Sequence, residues 1–254
     1  MLGPLFCLSL LSTVFAAPLE PRQLDGPKGI DVSHYQGTID WAAVVANGIK
    51  FVFIKATEST DFLDPNFSAN YDGATKAGLI RGGYHFAQVF FFYVAFHLLK
   101  KKIVALSRHP GATTGAAQAN YFLAHGGGWS ADGITLPGML DIEYNDDGAE
   151  CYGLSASAMV SWIKDFSNTY HAATTRYPII YSTTDWWTTC TGNSAAFAND
   201  NPLFIARYAS TIGTIPAGWP FATFWQYADS GPNPGDQDVF NGDAAGLSKM
   251  AKGS

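Results

Sequence analysis

Apolar positions along this chain alternate between two periods. Short runs rich in β-branched and aromatic residues, FVFIKA at 51–56, LIRGGYHF at 79–86 and PLFIAR at 202–207, read as strands. The run GIDVS at 29–33 predicts an earlier one, and GMLDIE at 138–143, YPIIYS at 177–182 and ATFWQYA at 222–228 complete the set. Between them stand helices. Asp40 caps WAAVVAN, and Gly48 sits just past its end. A second helix is expected from Asp64-Pro65 to Gly78, a third over 116–125 and a long amphipathic one over 155–171. Strands separated by helices of this length predict βαβ units, a parallel sheet and, with seven or eight strands in one domain, an α/β barrel. The last third has shorter gaps and more Gly and Pro, so its helices are expected to be degenerate or missing.

Composition narrows the function. Only 14% of the 254 residues are charged and the net charge is −6, which excludes the basic footprint that nucleic acid requires. No stable membrane association is implied either. The 18 Phe, 12 Tyr and 7 Trp suit both a core and the stacking of sugar faces on rings. Residues 1–17 read as a signal peptide: an apolar stretch from Leu5 to Phe15, too short to span a bilayer, precedes Ala16-Ala17. Residues 18–28 read as a short pro-segment, and 29–254 as a single catalytic domain. The protein is therefore expected to be secreted and extracellular. Cys7 leaves with the signal, so Cys151 and Cys190 are expected to form one disulfide in an oxidising compartment.

The chemistry lies at the strand ends. In GMLDIEYNDD, period-two alternation puts Met139, Asp141 and Glu143 on one face of a strand, with the two carboxyls about 6.6–7 Å apart along it. They stand at its C-terminal end, where barrel enzymes place catalytic groups. Neighbouring carboxyls hold one proton between them, which suits glycoside hydrolysis: one acid protonates the leaving oxygen, one carboxylate stabilises positive charge. Asp31 ends the first strand in GIDVSHYQG, and Asp236 and Asp238 are expected to end the last in PGDQDVF. First and last strands of a closed barrel are neighbours, so these acids would rim one bowl. The other strand ends are aromatic: Tyr84, His85 and Phe86, then Tyr181, then Trp225, Gln226 and Tyr227. His34 and His85 are read as hydrogen-bonded walls of that bowl, Lys55 and Glu58 as a structural pair near the rim, and Trp186-Trp187 as half core, half platform.

These runs resemble the family 25 glycoside hydrolases, the Chalaropsis-type lysozymes, and their fungal members in particular. GIDVSHYQGTIDW, FVFIKATE, RGGYHF, MLDIEYN, PIIYS, FWQY and DQDVF appear in the family's order, from Gly29 to about Lys252. The resemblance implies a modified, flattened TIM-like barrel, no metal or cofactor, and hydrolysis of the β-1,4 bond between N-acetylmuramic acid and N-acetylglucosamine in bacterial peptidoglycan, with net retention. Carried over by motif, Glu143 resembles the general acid/base and Asp141 the carboxylate beside it. Asp31 and Asp236 match supporting acids, and Tyr84, Phe86, Tyr181, Trp225 and Gln226 match sugar-contacting positions. A monomer is expected. Two other readings remain: an endo-glycosidase acting on chitin-like chains, and an inactive wall-sugar-binding protein.

One block departs from the pattern. Where the family has a short loop, this chain carries VFFFYVAFHLLKKKIVALSR at 89–108, apolar and then basic, with four of the 15 basic residues. Foreign composition, in frame and at a loop, reads as a translated intron; the other reading is a genuine lid beside the bowl.

Overall fold

A computed structural model describes residues 24–89, 113–145 and 148–254. The signal peptide, most of the leader and nearly all of the 89–108 block lie outside the described residues. Nine strands occur among them: β1 Lys28–Val32, β2 Phe51–Glu58, β3 Phe62–Leu63, β4 Ile80–Phe86, β5 Met139–Asp141, β6 Ile179–Ser182, β7 Leu203–Ala206, β8 Phe224–Ala228 and β9 Asp236–Phe240. Eight close into a barrel in the order β1-β9-β8-β7-β6-β5-β4-β2, with β2 pairing back to β1. The short β3 hangs on β2 as an antiparallel ladder. All neighbours in the barrel run parallel except β9, which is antiparallel to both β8 and β1.

That reversal corrects one expectation. Asp236 begins the last strand; it does not end it. Because β9 runs backwards, its first residue still arrives at the C-terminal mouth of the parallel strands, paired with Asp31 in register. Gly235 makes the approach: its φ is +73°, and a Cβ there would stand 2.0 Å from the Asp31 carbonyl oxygen. Only glycine fits both demands.

Side-chain alternation sorts the barrel into two apolar layers. Inward positions supply Phe51, Phe53, Met139, Ile179, Phe204, Phe224 and Phe240, with Tyr84 and Tyr181 nearer the mouth. The Phe224 ring meets those of Phe51, Phe53, Phe204 and Phe240 at centroid distances of 5.2 to 5.4 Å. Each fully buried phenylalanine contributes about 1.5–3 kcal/mol, so this plug closes the barrel floor as a solid core. Outward positions pack against helices: Ile30, Val32, Val52 and Ile54 in one group, Leu140, Ile142, Ile180 and Ile205 in another.

The helices are α1 Trp41–Ala46, α2 Phe67–Lys76, α3 Gly115–Ala124, α4 Ala156–Thr174, α5 Thr184–Thr191 and α6 Ala244–Lys252. Their starts are set by side-chain caps. Asp40 accepts from the Ala43 N–H at 3.1 Å, Ser155 from Ala158 at 3.3 Å and Asp243 from Gly246 at 2.7 Å. Helix α2 begins later than Asp64-Pro65 suggests, because Asp64 first closes a turn on Asn66 and Phe67. No helix separates β7 from β8 or β8 from β9, in line with degenerate C-terminal helices.

Two further expectations are corrected. Trp186 and Trp187 are both fully buried, with Trp187 edge-on to Trp219 at 5.3 Å, so neither is a platform. Leu24 packs on Trp225 and Val239, and Lys28 is the first residue of β1. Strand β5 is shorter than 138–143: Ile142 makes a last backbone bond to Tyr181 at 3.1 Å, and Glu143 follows beyond it. Cys151 and Cys190 form the expected disulfide, tying the segment after Glu143 to α5 with a Cα–Cα distance of 5.2 Å.

Candidate active site

The mouth of the barrel gathers carboxyls from three strands. Asp31 comes from β1, Asp141 from β5, and Asp236 and Asp238 from β9, with Glu143 just past β5. The four aspartates occupy inward positions, by the alternation that turns Met139 and Phe240 inward on β5 and β9 and Ile30 and Val32 outward on β1. Gln226 of β8 links them. Its Nε2 donates to Asp31 Oδ2 at 2.7 Å and to Asp236 Oδ2 at 3.0 Å. Its Oε1 accepts from the Tyr181 hydroxyl at 2.8 Å and the Tyr208 hydroxyl at 3.0 Å. One nearly buried amide therefore fixes two carboxyls and two phenols, and both of its ends are satisfied.

So many acids in one mouth raise each other's proton affinity. Burial and the neighbouring Asp236 lift Asp31 to about 8, with Glu143 adding to the effect, while hydrogen bonds from Gln226 and Asp238 oppose it. Burial lifts Asp236 to about 6, helped by Asp229. Asp141 is pushed well up by burial and then by Glu143, against the pull of Lys55. Its Oδ1 is buried with no hydrogen-bond partner among the described residues, so this carboxyl faces the mouth with an unfilled acceptor. Lys55, inward on β2, is ion-paired to Glu58 at 2.7 Å and lies 4.9 Å from the Phe86 ring centre. Phe86 itself pairs in register with Asp141.

A sequence model of glycosyl hydrolases family 25 matches residues 30–91 and 108–236. The chain belongs to that family. It is 51% identical to the N,O-diacetylmuramidase of a Chalaropsis species, over 89% of this chain and 99% of that one. It is 46% identical to lysozyme M1 of Streptomyces globisporus, over 91% of this chain and 73% of that protein. Among solved structures, the muramidase from Acremonium alcalophilum superposes with a TM-score of 0.80 at 56% identity, covering 90% of this chain and all of that one. The chain is thus a glycoside hydrolase with the barrel of its family.

Within this family 25 barrel, Tyr84, Phe86, Tyr181 and Gln226 all reach the mouth, together with Asp31, Asp141 and Asp236. Trp225 does not. Gln226 points inward, so Trp225 points outward; it is 3% exposed, packs on Leu24 and Val239, and donates from Nε1 to the Arg207 carbonyl at 2.9 Å. His85 is also on the outer face. It is wedged between Thr57 Oγ1 at 2.7 Å and Gln118 Oε1 at 2.8 Å, and burial lowers it to about 4, so it is neutral and structural. His34 stays near the rim, its Nδ1 2.8 Å from Asp64.

Tyr208 was not among the residues expected from sequence. It follows β7, is 55% exposed, and reaches from the rim down to Gln226. Its signal was present in PLFIARY, an aromatic just past a strand's C-terminal end, the criterion that selected Tyr84 and Tyr181. Among the described residues no cluster of His, Cys, Asp or Glu has the arrangement of a metal site.

Proposed function

We propose that this protein is a secreted lysozyme, an N-acetylmuramidase that cleaves the β-1,4 bond between N-acetylmuramic acid and N-acetylglucosamine in bacterial peptidoglycan. One observation carries the reading: Glu143 follows Asp141 just past β5 at the mouth where Asp31, Asp141, Asp236 and Gln226 meet, and its charge raises the proton affinity of Asp31 and Asp141. The naming of its relatives as muramidases and lysozymes supports the substrate.

In this reading Glu143 protonates the glycosidic oxygen as the leaving sugar departs. Positive charge then grows on the anomeric carbon and ring oxygen. Asp141 orients the substrate's own 2-acetamido group, whose carbonyl oxygen attacks that carbon from the opposite face and forms an oxazolinium ion. The Lys55 ammonium favours the anionic form of Asp141 as that charge develops. Glu143, now a carboxylate, takes a proton from water, which opens the ring. Two inversions give net retention. Asp236, bridged to Asp31 by Gln226 and ionised above about 6, supplies negative potential to the cationic transition state. Tyr84, Tyr181 and Phe86 form the walls, and no cofactor is required.

The test is clearing of a peptidoglycan suspension by the protein and by Glu143→Gln, with analysis of the new reducing ends. Clearing that leaves muramic acid at those ends and is lost in Glu143→Gln is expected. Cleavage of chitin oligomers alone, or binding without cleavage, would overturn the reading, and a covalent glycosyl–Asp141 adduct would overturn the assisted route.

A further inference from the structure

The mechanism above leaves one buried acid without a task. Asp238 is 0% exposed, and neither of its carboxyl oxygens receives a hydrogen bond from an N–H or O–H among the described residues. An ionised carboxylate in that setting would carry the full cost of a desolvated, unpaired charge, several kcal/mol even after relaxation. The alternative form is neutral, and a neutral carboxyl carries an O–H that needs an acceptor.

The barrel supplies one. Asp238 sits two residues after Asp236 on the inward face of β9, opposite Gly29 of β1 and Gln226 of β8. Gly29 has no side chain, and the Phe51 ring from β2 closes over it, so close that a Cβ there would lie 2.3 Å away. The flank is therefore apolar and offers no donor. The polar groups facing Asp238 are the carboxyls of Asp236 on its own strand and of Asp31, which β1 places opposite Asp236 on the same inward face. Both act to keep it protonated, as does burial. Gln226 on β8 is neutral and its amide protons already go to Asp31 and Asp236. The cation on this part of the wall, Lys28, stands over the Tyr227 ring on the outer face.

We propose that Asp238 is a positioning residue for Asp31: a permanently neutral carboxylic acid whose O–H donates to the Asp31 carboxyl, sharing with Gln226 the task of orienting it toward the mouth. The inference deepens the lysozyme reading and rests on it for its catalytic consequence. The protonation state of Asp238 is independent of that reading. Two donors on one carboxyl, an amide from β8 and an acid from β9, fix both its place and its plane. They also let the mouth hold five acids without five charges.

The experiment compares Asp238→Asn, which keeps an N–H donor but cannot titrate, with Asp238→Leu, which keeps the volume and loses the donor. The readouts are kcat and KM on peptidoglycan against pH, circular dichroism, and carboxyl ¹³C shifts of aspartate-labelled protein. Asp238→Asn is expected to keep kcat within about threefold, while Asp238→Leu remains folded and loses kcat by about thirtyfold or more with KM within twofold. In the unsubstituted protein Asp31 and Asp141 also hold protons toward neutral pH, so the Asp238 signal is taken as the protonated aspartate signal that vanishes in Asp238→Asn, and it is expected to stay protonated through neutral pH. Equal damage in both variants, or an Asp238 signal that titrates near 4, would overturn the proposal. If Asp238→Leu fails to fold, the Asn variant and the ¹³C signal decide alone. A protonated signal in a protein that leaves peptidoglycan untouched would sink the lysozyme reading and leave the assignment of the proton standing.

Discussion

Asp31 and Asp236 stand opposite one another across the antiparallel seam between the first and last strands, and a single amide, that of Gln226, donates to both. The seam explains how two residues so far apart in the chain become one functional unit. It also shows why β9 must run backwards: a parallel last strand with the same sequence would bury Asp236 at the floor, among the phenylalanines.

That amide is the first target. Gln226→Leu keeps the size and removes both donors, each worth about 1.5–3 kcal/mol when the acceptor is charged. Peptidoglycan clearing is expected to fall by a factor on the order of 100 or more. Gln226→Glu should be at least as harmful, because it adds a sixth acid to the cluster. A Gln226→Leu protein that clears at the original rate would show that Asp31 and Asp236 need no bridge.

The acidic mouth also fixes a direction for pH dependence. In the native protein Asp31 holds its proton to about 8, against 3.8 for the free residue. Between those values the native state binds more protons than the unfolded chain, so this group's contribution is full below about 4 and is lost as pH rises toward 8. His85 works the other way between about 4 and 6.5, where the unfolded chain takes up a proton that the native imidazole refuses. Comparison with Asp31→Asn isolates the acid. Thermal unfolding from pH 4 to 8 is expected to show the unsubstituted protein losing stability relative to Asp31→Asn as pH rises; parallel curves would refute the shift.

Much of this site was legible in the sequence because alternation in a strand is a strict rule. It brought Asp31, Asp141, Tyr84, Tyr181 and Gln226 to one face correctly. The same rule, applied to FWQY, puts Trp225 outside once Gln226 is inside, and His85 outside once Tyr84 is inside. What alternation lacks is direction. Nothing in PGDQDVF says whether the strand runs with its neighbours or against them, so Asp236 was expected at the wrong end of it. Nor does it register bulges: the irregularity between Lys55 and Thr57 changes which side chains face inward, and brings Glu58 back toward Lys55. Hydrogen-bond satisfaction, which singles out Asp238, is a property of the assembled wall and has no trace in the linear pattern.

The disulfide should matter for stability and little for chemistry. Cys151 and Cys190 enclose a loop spanning a sequence separation of 39, which in the chain-entropy model is worth about 3–4 kcal/mol. Replacing both with Ser is expected to lower the unfolding free energy by that amount and to leave clearing at 25 °C near its original rate. A loss of activity in a variant that remains folded would mean that the bond also holds Glu143 in place.

The last prediction concerns the block at 89–108. The family model's match stops at residue 91 and resumes at 108, and we propose that the intervening residues are foreign to the enzyme, a translated intron. The described residues on either side are held to one another. Gln118 of α3 donates from Nε2 to the Gln88 carbonyl and, at 2.6 Å, to Thr113 Oγ1, while its Oε1 accepts from the Gln88 N–H at 3.3 Å. Trp162 of α4 holds the Thr113 carbonyl at 2.9 Å. Two helices thus bring the flanks together at one side chain, and a short connection can join them with little loop-closure cost. Deletion of residues 92–107 is expected to leave thermal stability unchanged or higher, because α3 and α4 already hold the flanking residues Gln88 and Thr113. The deleted protein should clear peptidoglycan, and a tryptic map of the naturally secreted protein should lack FFFYVAFHLLK. Recovery of that peptide, or collapse of the fold on deletion, would make the block a working part of the enzyme.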